Sequence, residues 1–406
     1  MPSLPSLLPR FSPLLLAISL LASAGPVPLL SQESVTSVRG MNGLGQRRTY
    51  EGPWGNMETY PILLQPPDTH LWEALFDERS LWSFGPRSKE EALTILGEIG
   101  FPTEKVEMFR ARGDWSETLG ETRVEIDDEI VEALAPEDRA AVSKWFRLNH
   151  PVFFGKLLVN LDGGDFSYFE NSRLSPATVD LVKRVAFHRR NVLSIIDRPY
   201  LLRQIGDDED EKRLLIRTLF SSRSLIARLV VDETTDLRNV VEYWSAGGQN
   251  TGFGPVLQAV RATTGVERLD LIQILPTFPR RYLNGFTRLR DITPTNAPDC
   301  FWSSIHFFRE SASSRILDAL AIEHHLGTDY EVVDEEPRFG DIVCMFNNED
   351  DSFLHSYVHI ADEVVFTKNG TSFVRPFVLT TLSDMLSVYL DETAIRYETY
   401  RRKPGH

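Results

Sequence analysis

Three short apolar segments near the C-terminus constrain the fold more than any other feature of the chain. They are GDIVCMF (340–346), LHSYVHIA (354–361) and EVVFTKNG (363–370). Asp362-Glu363 separates the second from the third, and Asn369-Gly370 ends the third. Apolar segments separated by tight turns are typical of β-hairpins. They therefore predict a small antiparallel sheet, completed by a final strand in AIRYETYRR (394–402).

The region before this sheet has mainly helical periodicity. SKEEALTILGEIGF begins with Ser88 and has Glu91 three residues later, which is a capping box. A second helix is predicted from Ser175-Pro176 through SPATVDLVKRVAFHRRNVLSIID, and others over DEKRLLIRTLFSSRSLIARLVVD and DLRNVVEYWSAGG. We therefore predict an α+β protein, with a mostly helical domain over residues 61–290 and an α+β domain over 291–406.

The N-terminus predicts export. One positive residue, an apolar run and the small residues ASA before Gly25 are typical of a secretory signal peptide over residues 1–24, cleaved after Ala24. Residues 25–60 are rich in Ser, Gly, Arg and Gln and are predicted to be a linker. The mature chain is expected to be secreted or periplasmic, without stable insertion in a membrane.

The charge balance excludes some partners. The chain has 43 Lys and Arg against 58 Asp and Glu, a net charge of −15, which argues against binding to nucleic acid. The acidic run Asp207–Glu211 is interpreted as a solvated helix start, and the segment 162–170 as a turn. The sequence therefore predicts no metal and no cofactor.

Cys300 is the candidate nucleophile. It follows Asp299, which can cap the helix that begins there, so the thiol is expected in the first turn of that helix. Free backbone N–H groups and the helix dipole favour a thiolate at such a position. The same N–H groups, supported by Asp299, can stabilise an oxyanion.

A nucleophilic thiol needs a base, and His355 is the candidate. Strand alternation puts His355, Tyr357 and His359 on one face, which we expect to pack against the helix of Cys300, and periodicity alone does not choose between the two histidines. A third polar group must orient the imidazole. Thr367 and Asn369 share one face of the next strand, and both are candidates, although Asn369-Gly370 is also a common turn sequence.

The main alternative is a disulfide. An exported chain with two cysteines can join Cys300 to Cys344, which occupies the GDIVCMF strand. Such a bond would occupy the nucleophile and leave a protein that binds a partner without catalysis.

Taken in order, these motifs resemble the NlpC-type cell-wall peptidases, a circularly permuted branch of the papain-like superfamily. The resemblance covers residues 291–406 and rests on Asp-Cys at a helix start, on GDIVCMF, on a strand beginning with His and on a polar residue of the next strand. It implies Cys300 as nucleophile, His355 as base and Thr367 or Asn369 as the third residue. Where the family commonly has small residues, this chain has Phe301-Trp302 after the cysteine and Ser356-Tyr357 after the histidine.

The resemblance also implies a reaction. It is hydrolysis of an amide bond through a thioester, in a peptidoglycan stem peptide or a related small peptide, in a secreted bacterial protein. The second expectation is a non-catalytic cell-wall or partner-binding protein that keeps the fold.

Overall fold

The closely spaced strands predicted near the C-terminus form a six-stranded antiparallel sheet in the computed structural model of the protein. The structure describes residues 46–404, except 72–73, 75–78, 119, 151–157, 162–165, 167–168, 170–171, 190–191, 289–296, 313–318, 350, 388 and 390–393. The predicted signal peptide (1–24) and the first part of the predicted linker (25–45) lie outside these residues.

The strands run in chain order as follows: β1 Arg48–Gly52, β2 Gly55–Leu64, β3 Leu81–Gly85, β4 Asp114–Thr118, β5 Glu121–Glu125, β6 Val159–Leu161, β7 Phe187–Arg189, β8 Val192–Ile195, β9 Ser222–Val230, β10 Arg268–Asp270, β11 Tyr330–Val333, β12 Ile342–Asn347, β13 Phe353–Ala361, β14 Val364–Lys368, β15 Phe377–Thr381 and β16 Ile395–Arg402. The six-stranded sheet has the order β11-β16-β12-β13-β14-β15. Smaller antiparallel sheets have the orders β1-β2-β9-β10, β3-β5-β4 and β6-β8-β7.

The helices in chain order are α1 Lys89–Glu98, α2 Thr103–Arg112, α3 Asp128–Ala133, α4 Pro136–Asn149, α5 Pro176–Val185, α6 Arg198–Ile205, α7 Glu209–Leu219, α8 Leu237–Ser245, α9 Gly254–Ala262, α10 Thr277–Tyr282, α11 Cys300–Ile305, α12 Ala319–Asp329 and α13 Leu382–Ser387. The described residues are thus a mixture of helices and small antiparallel sheets, which confirms the predicted α+β class. The capping box of Ser88 and Glu91 is also confirmed at the start of α1. Within the described residues, no helix has the length and apolar character needed to cross a membrane.

Strands replace parts of three sequence predictions. The predicted linker contains β1 and the first part of β2. The helices predicted through 186–197 and 221–231 end early, and the chain continues as β7, β8 and β9. β9 pairs with β2 over nine residues, Ser222 to Val230. The short apolar runs of β7, β8 and β9 fit a helix or a strand equally well by periodicity, and pairing with distant strands decides the outcome.

One hydrophobic core connects the four-stranded sheet to the six-stranded sheet. It contains Met57 of β2 and Leu229 of β9 together with Trp302 of α11 and Phe366 of β14. All described residues belong to one compact unit. The core therefore joins residues on both sides of the predicted boundary at 290/291.

Candidate active site

Cys300 is the first residue of α11, as predicted. The Asp299 carboxylate accepts a hydrogen bond from the Trp302 N–H at 2.8 Å and caps the helix. The Ser303 and Ser304 hydroxyls donate to the Cys300 carbonyl at 2.7 and 2.9 Å. Local hydrogen bonds therefore fix the backbone that carries the thiol.

One face of the six-stranded sheet packs against α11, and we call it the helix-facing side. Ser304 Oγ lies 3.1 Å from Ser356 Oγ of β13. Trp302 and Ile305 share a hydrophobic cluster with sheet residues from this side, which are Ile342, Cys344, Val358, Ile360 and Phe366. Alternation along β13 therefore assigns Ser356, Val358 and Ile360 to the helix-facing side.

His355 projects from the opposite side of the sheet. Its ring stacks on Tyr389, with centroids 4.4 Å apart. Tyr389 belongs to a separate cluster with Met345, Tyr357 and Val365. The expectation that the face of His355, Tyr357 and His359 packs against the helix of Cys300 is wrong. A strand has two faces, and the sequence pattern alone does not say which one the helix covers.

Among the described residues, the structure brings His355 together with Thr367 and not with Cys300. His355 Nε2 lies 2.9 Å from Thr367 Oγ1, and both residues are fully buried. His355 Nδ1 has no hydrogen-bond partner among the described residues, so the Cys300 sulfur does not bond it. Burial lowers the pKa of His355 to about 3, which keeps the ring neutral at neutral pH.

Asn369 lies beyond the end of β14, and among the described residues it makes no hydrogen bond to His355. Its Oδ1 atom is buried without a hydrogen-bond partner among the described residues. The side chain lines a small cleft with Arg223, Arg375 and Asp384. Of the two candidates for the third residue, Thr367 is therefore the one that hydrogen-bonds to the imidazole.

The two cysteines are free thiols in the structure, so the predicted alternative of a Cys300–Cys344 disulfide is not formed. Cys344 is fully buried on the helix-facing side, opposite Ser356 in the register of β12 and β13. Burial raises the pKa of Cys344 well above its ordinary value, and the nearby charge of Cys300 adds to this effect.

At Cys300, burial has a larger effect on the pKa of the thiol than the helix N-terminus has. The residue is only 5% exposed, and burial followed by the charge of Asp299 raises the pKa of its thiol to about 12. Hydrogen bonds from the Ser356 and Phe301 backbone and from the Ser356 hydroxyl oppose the rise. The expectation of a resting thiolate at this helix start is therefore wrong: at neutral pH the group is a thiol.

Lys368 is the functional candidate that sequence analysis missed. It is fully buried and projects from β14 on the helix-facing side, opposite to its neighbour Thr367. Its Nζ donates to the carbonyls of Gly370 and Ser372 at 2.7 and 2.9 Å. Burial lowers the pKa of Lys368 to about 7, against the opposing effect of Asp299 and Cys300. A lysine at a buried position of an apolar strand was the available signal.

Comparison of the chain with known protein families, with characterised proteins and with solved structures gave no match. The resemblance to NlpC-type peptidases therefore rests on the order of the motifs alone. Among the described residues, no group of three or more His, Cys, Asp or Glu side chains is arranged to hold a metal ion.

Proposed function

We propose that the protein is an exported thiol-dependent amide hydrolase with Cys300 as its nucleophile. One observation carries the proposal: the sulfur lies at a capped helix start, where the Phe301 and Ser356 backbone groups and the Ser356 hydroxyl act to lower the pKa of the thiol. Donors in this position stabilise negative charge on sulfur or on a substrate oxygen beside it. The ordered resemblance to NlpC-type peptidases supports the same reaction class.

The proposed substrate is a peptidoglycan stem peptide or a related small peptide. Sulfur adds to the amide carbon, the carbon–nitrogen bond breaks with transfer of a proton to the leaving amine, and water hydrolyses the thioester. The products are a carboxylic acid and an amine, and the cysteine is regenerated.

A second candidate function is supported by the burial of the site. Cys300 is almost fully covered, and Phe301 stacks on Phe353 with ring centroids 3.8 Å apart where the resembled family has a small residue. A closed site of this kind fits a non-catalytic wall-binding or partner-binding protein.

Incubation of the purified protein with muropeptides, followed by mass spectrometry, tests the two candidates. A hydrolase releases cleaved peptides, and Cys300→Ser abolishes the release while Cys344→Ser preserves it. If the wild-type protein binds muropeptides or whole cell walls without cleaving them, the binding function is supported and the hydrolase is not.

A further inference from the structure

We infer that Lys368, rather than His355, exchanges the proton of the Cys300 thiol. This inference rests on the proposed function of Cys300 as a nucleophile, and it names the base of the same site. It follows from which side chains share the buried space between α11 and the six-stranded sheet.

The first argument is the position of the side chains. Cys300 is joined to Ser356, on the helix-facing side of β13, through Ser304: the Ser304 hydroxyl donates to the Cys300 carbonyl at 2.9 Å and lies 3.1 Å from Ser356 Oγ. Lys368 occupies the same side of the neighbouring strand β14, and Asp299 and Cys300 lie near enough to its amine to raise the pKa of that amine. His355 and Thr367 hydrogen-bond to each other on the opposite side. Of Lys368 and His355, the lysine is therefore the one that lies on the same side of the sheet as the sulfur.

The second argument is the hydrogen bonding of the amine. Two carbonyl oxygens, of Gly370 and Ser372, accept from Lys368 Nζ. A neutral amine has two N–H bonds and one lone pair, so these two acceptors use its N–H bonds and leave the lone pair to accept a proton. In a resting site the amine and the thiol need not be hydrogen-bonded, because such bonds commonly tighten when substrate binds.

The third argument is the charge state. Burial keeps the pKa of Lys368 near neutrality, at about 7, while Asp299 and Cys300 raise it and Arg375 lowers it. An amine that titrates near neutral pH can both take and return a proton. The pKa of His355, at about 3, makes that ring a poor proton acceptor at neutral pH.

The proton balance is complete with these groups. The neutral amine takes the thiol proton as sulfur bonds to the amide carbon. The resulting ammonium gives that proton to the leaving nitrogen as the carbon–nitrogen bond breaks. The amine then takes a proton from the water that attacks the thioester, and the proton returns to sulfur when the acid leaves.

The test is the pH dependence of thiol alkylation. Full-length protein carrying Cys344→Ala reacts with iodoacetamide, and mass spectrometry follows labelling of Cys300 between about pH 5 and pH 9. We expect the rate to rise with a midpoint near pH 7 that reports Lys368. Lys368→Met should remove this midpoint and slow labelling at pH 8 by about tenfold or more.

Two variants show whether the effect on labelling comes from proton transfer by Lys368, from its positive charge, or from the loss of any buried lysine. Lys368→Arg keeps a cation that does not release its proton, so it should also lose the midpoint. Lys212→Met removes another buried lysine, in α7, and should leave the profile unchanged. Circular dichroism reports whether each variant folds, and if Lys368→Met does not fold, the wild-type profile alone decides the result.

The outcomes are distinguishable. Rapid labelling whose midpoint persists in Lys368→Met, or a wild-type profile without a midpoint near neutrality, overturns the inference and leaves Cys300 as a nucleophile. Labelling of folded wild-type protein no faster than that of a buried inert thiol, such as Cys344 in a Cys300→Ala control, overturns both the inference and the proposed function.

Discussion

His355 and Ser356 are consecutive residues of β13, yet their side chains occupy opposite sides of the six-stranded sheet. His355 Nε2 lies 2.9 Å from Thr367 Oγ1, whereas Ser356 Oγ lies 3.1 Å from Ser304 Oγ in the helix that carries Cys300. The candidate nucleophile therefore shares its surroundings with Ser356 and Lys368. The imidazole and Thr367 form a separate buried pair.

Acid should destabilise the protein through the buried His306 and His355 and the half-buried His359. Burial lowers the pKa of His355 to about 3 and of His306 and His359 to about 4, from an ordinary value of 6.5. Below pH 6.5 the unfolded chain binds protons that the folded chain does not, so stability falls as the pH falls. At pH 5 the cost is about 2 kcal/mol for each such histidine.

Urea unfolding at pH 7 and pH 5 measures this effect. Between pH 7 and pH 5, the free energy of unfolding should fall less in His355→Gln than in the wild type. His188→Gln, which replaces an exposed histidine in β7, is the matched control and should behave as the wild type. An equal loss in His355→Gln and wild type would mean that His355 does not resist protonation.

The buried ion pair between Arg139 and Asp197 predicts a large mutational effect. Arg139 Nε donates to Asp197 Oδ2 at 2.5 Å, and both side chains are almost completely buried. Arg139→Met leaves the carboxylate unpaired, and the free energy of unfolding should fall by about 3–5 kcal/mol. The double variant Arg139→Met/Asp197→Leu removes the uncompensated group and should recover much of the loss.

Denaturant midpoints check this prediction, with the exposed pair of Arg110 and Glu90 as the control. Arg110→Met should leave the midpoint close to that of the wild type. Similar effects of the two arginine substitutions would contradict the importance of burial.

Asp299 should have two separable effects. Its carboxylate caps α11, and its charge raises the pKa of the Cys300 thiol. Asp299→Asn keeps an acceptor for the Trp302 N–H while it removes the charge, so Cys300 should be alkylated faster at a given pH. Asp299→Ala removes the cap as well and should cost about 1 kcal/mol of stability.

Thermal unfolding and iodoacetamide labelling separate the two effects. Unchanged labelling in a folded Asp299→Asn variant would show that the Asp299 charge does not act on the sulfur.

Local signals in the sequence predicted much of the fold around the site. The capped start of α11, the strands β12 to β14 and the polar contact to His355 follow from hydrogen-bonding side chains, turns and alternation close together in the chain. The choice of sheet face does not. A one-residue shift reverses every side chain of a strand, and the pairing of β13 contains shifts near Phe346 and near Ala361.

The protonation state of Cys300 also could not be predicted from the sequence. The helix start was predicted correctly, but the degree of burial depends on the packing of α11 against two distant strands. The role of Lys368 was missed because it depends on the same packing, which places its buried amine on the side of the sheet that α11 covers. These properties are set by tertiary contacts rather than by local pattern.

Cross-linking tests the assignment of the two sheet faces most directly. In a Cys344→Ala background, Ser356→Cys and His355→Cys each place one new thiol in β13, on opposite sides of the sheet. After mild oxidation, peptide mass spectrometry should find a disulfide between Cys300 and residue 356 and none between Cys300 and residue 355. Efficient cross-linking of residue 355, with residue 356 unlinked, would place the imidazole beside the sulfur and contradict the account.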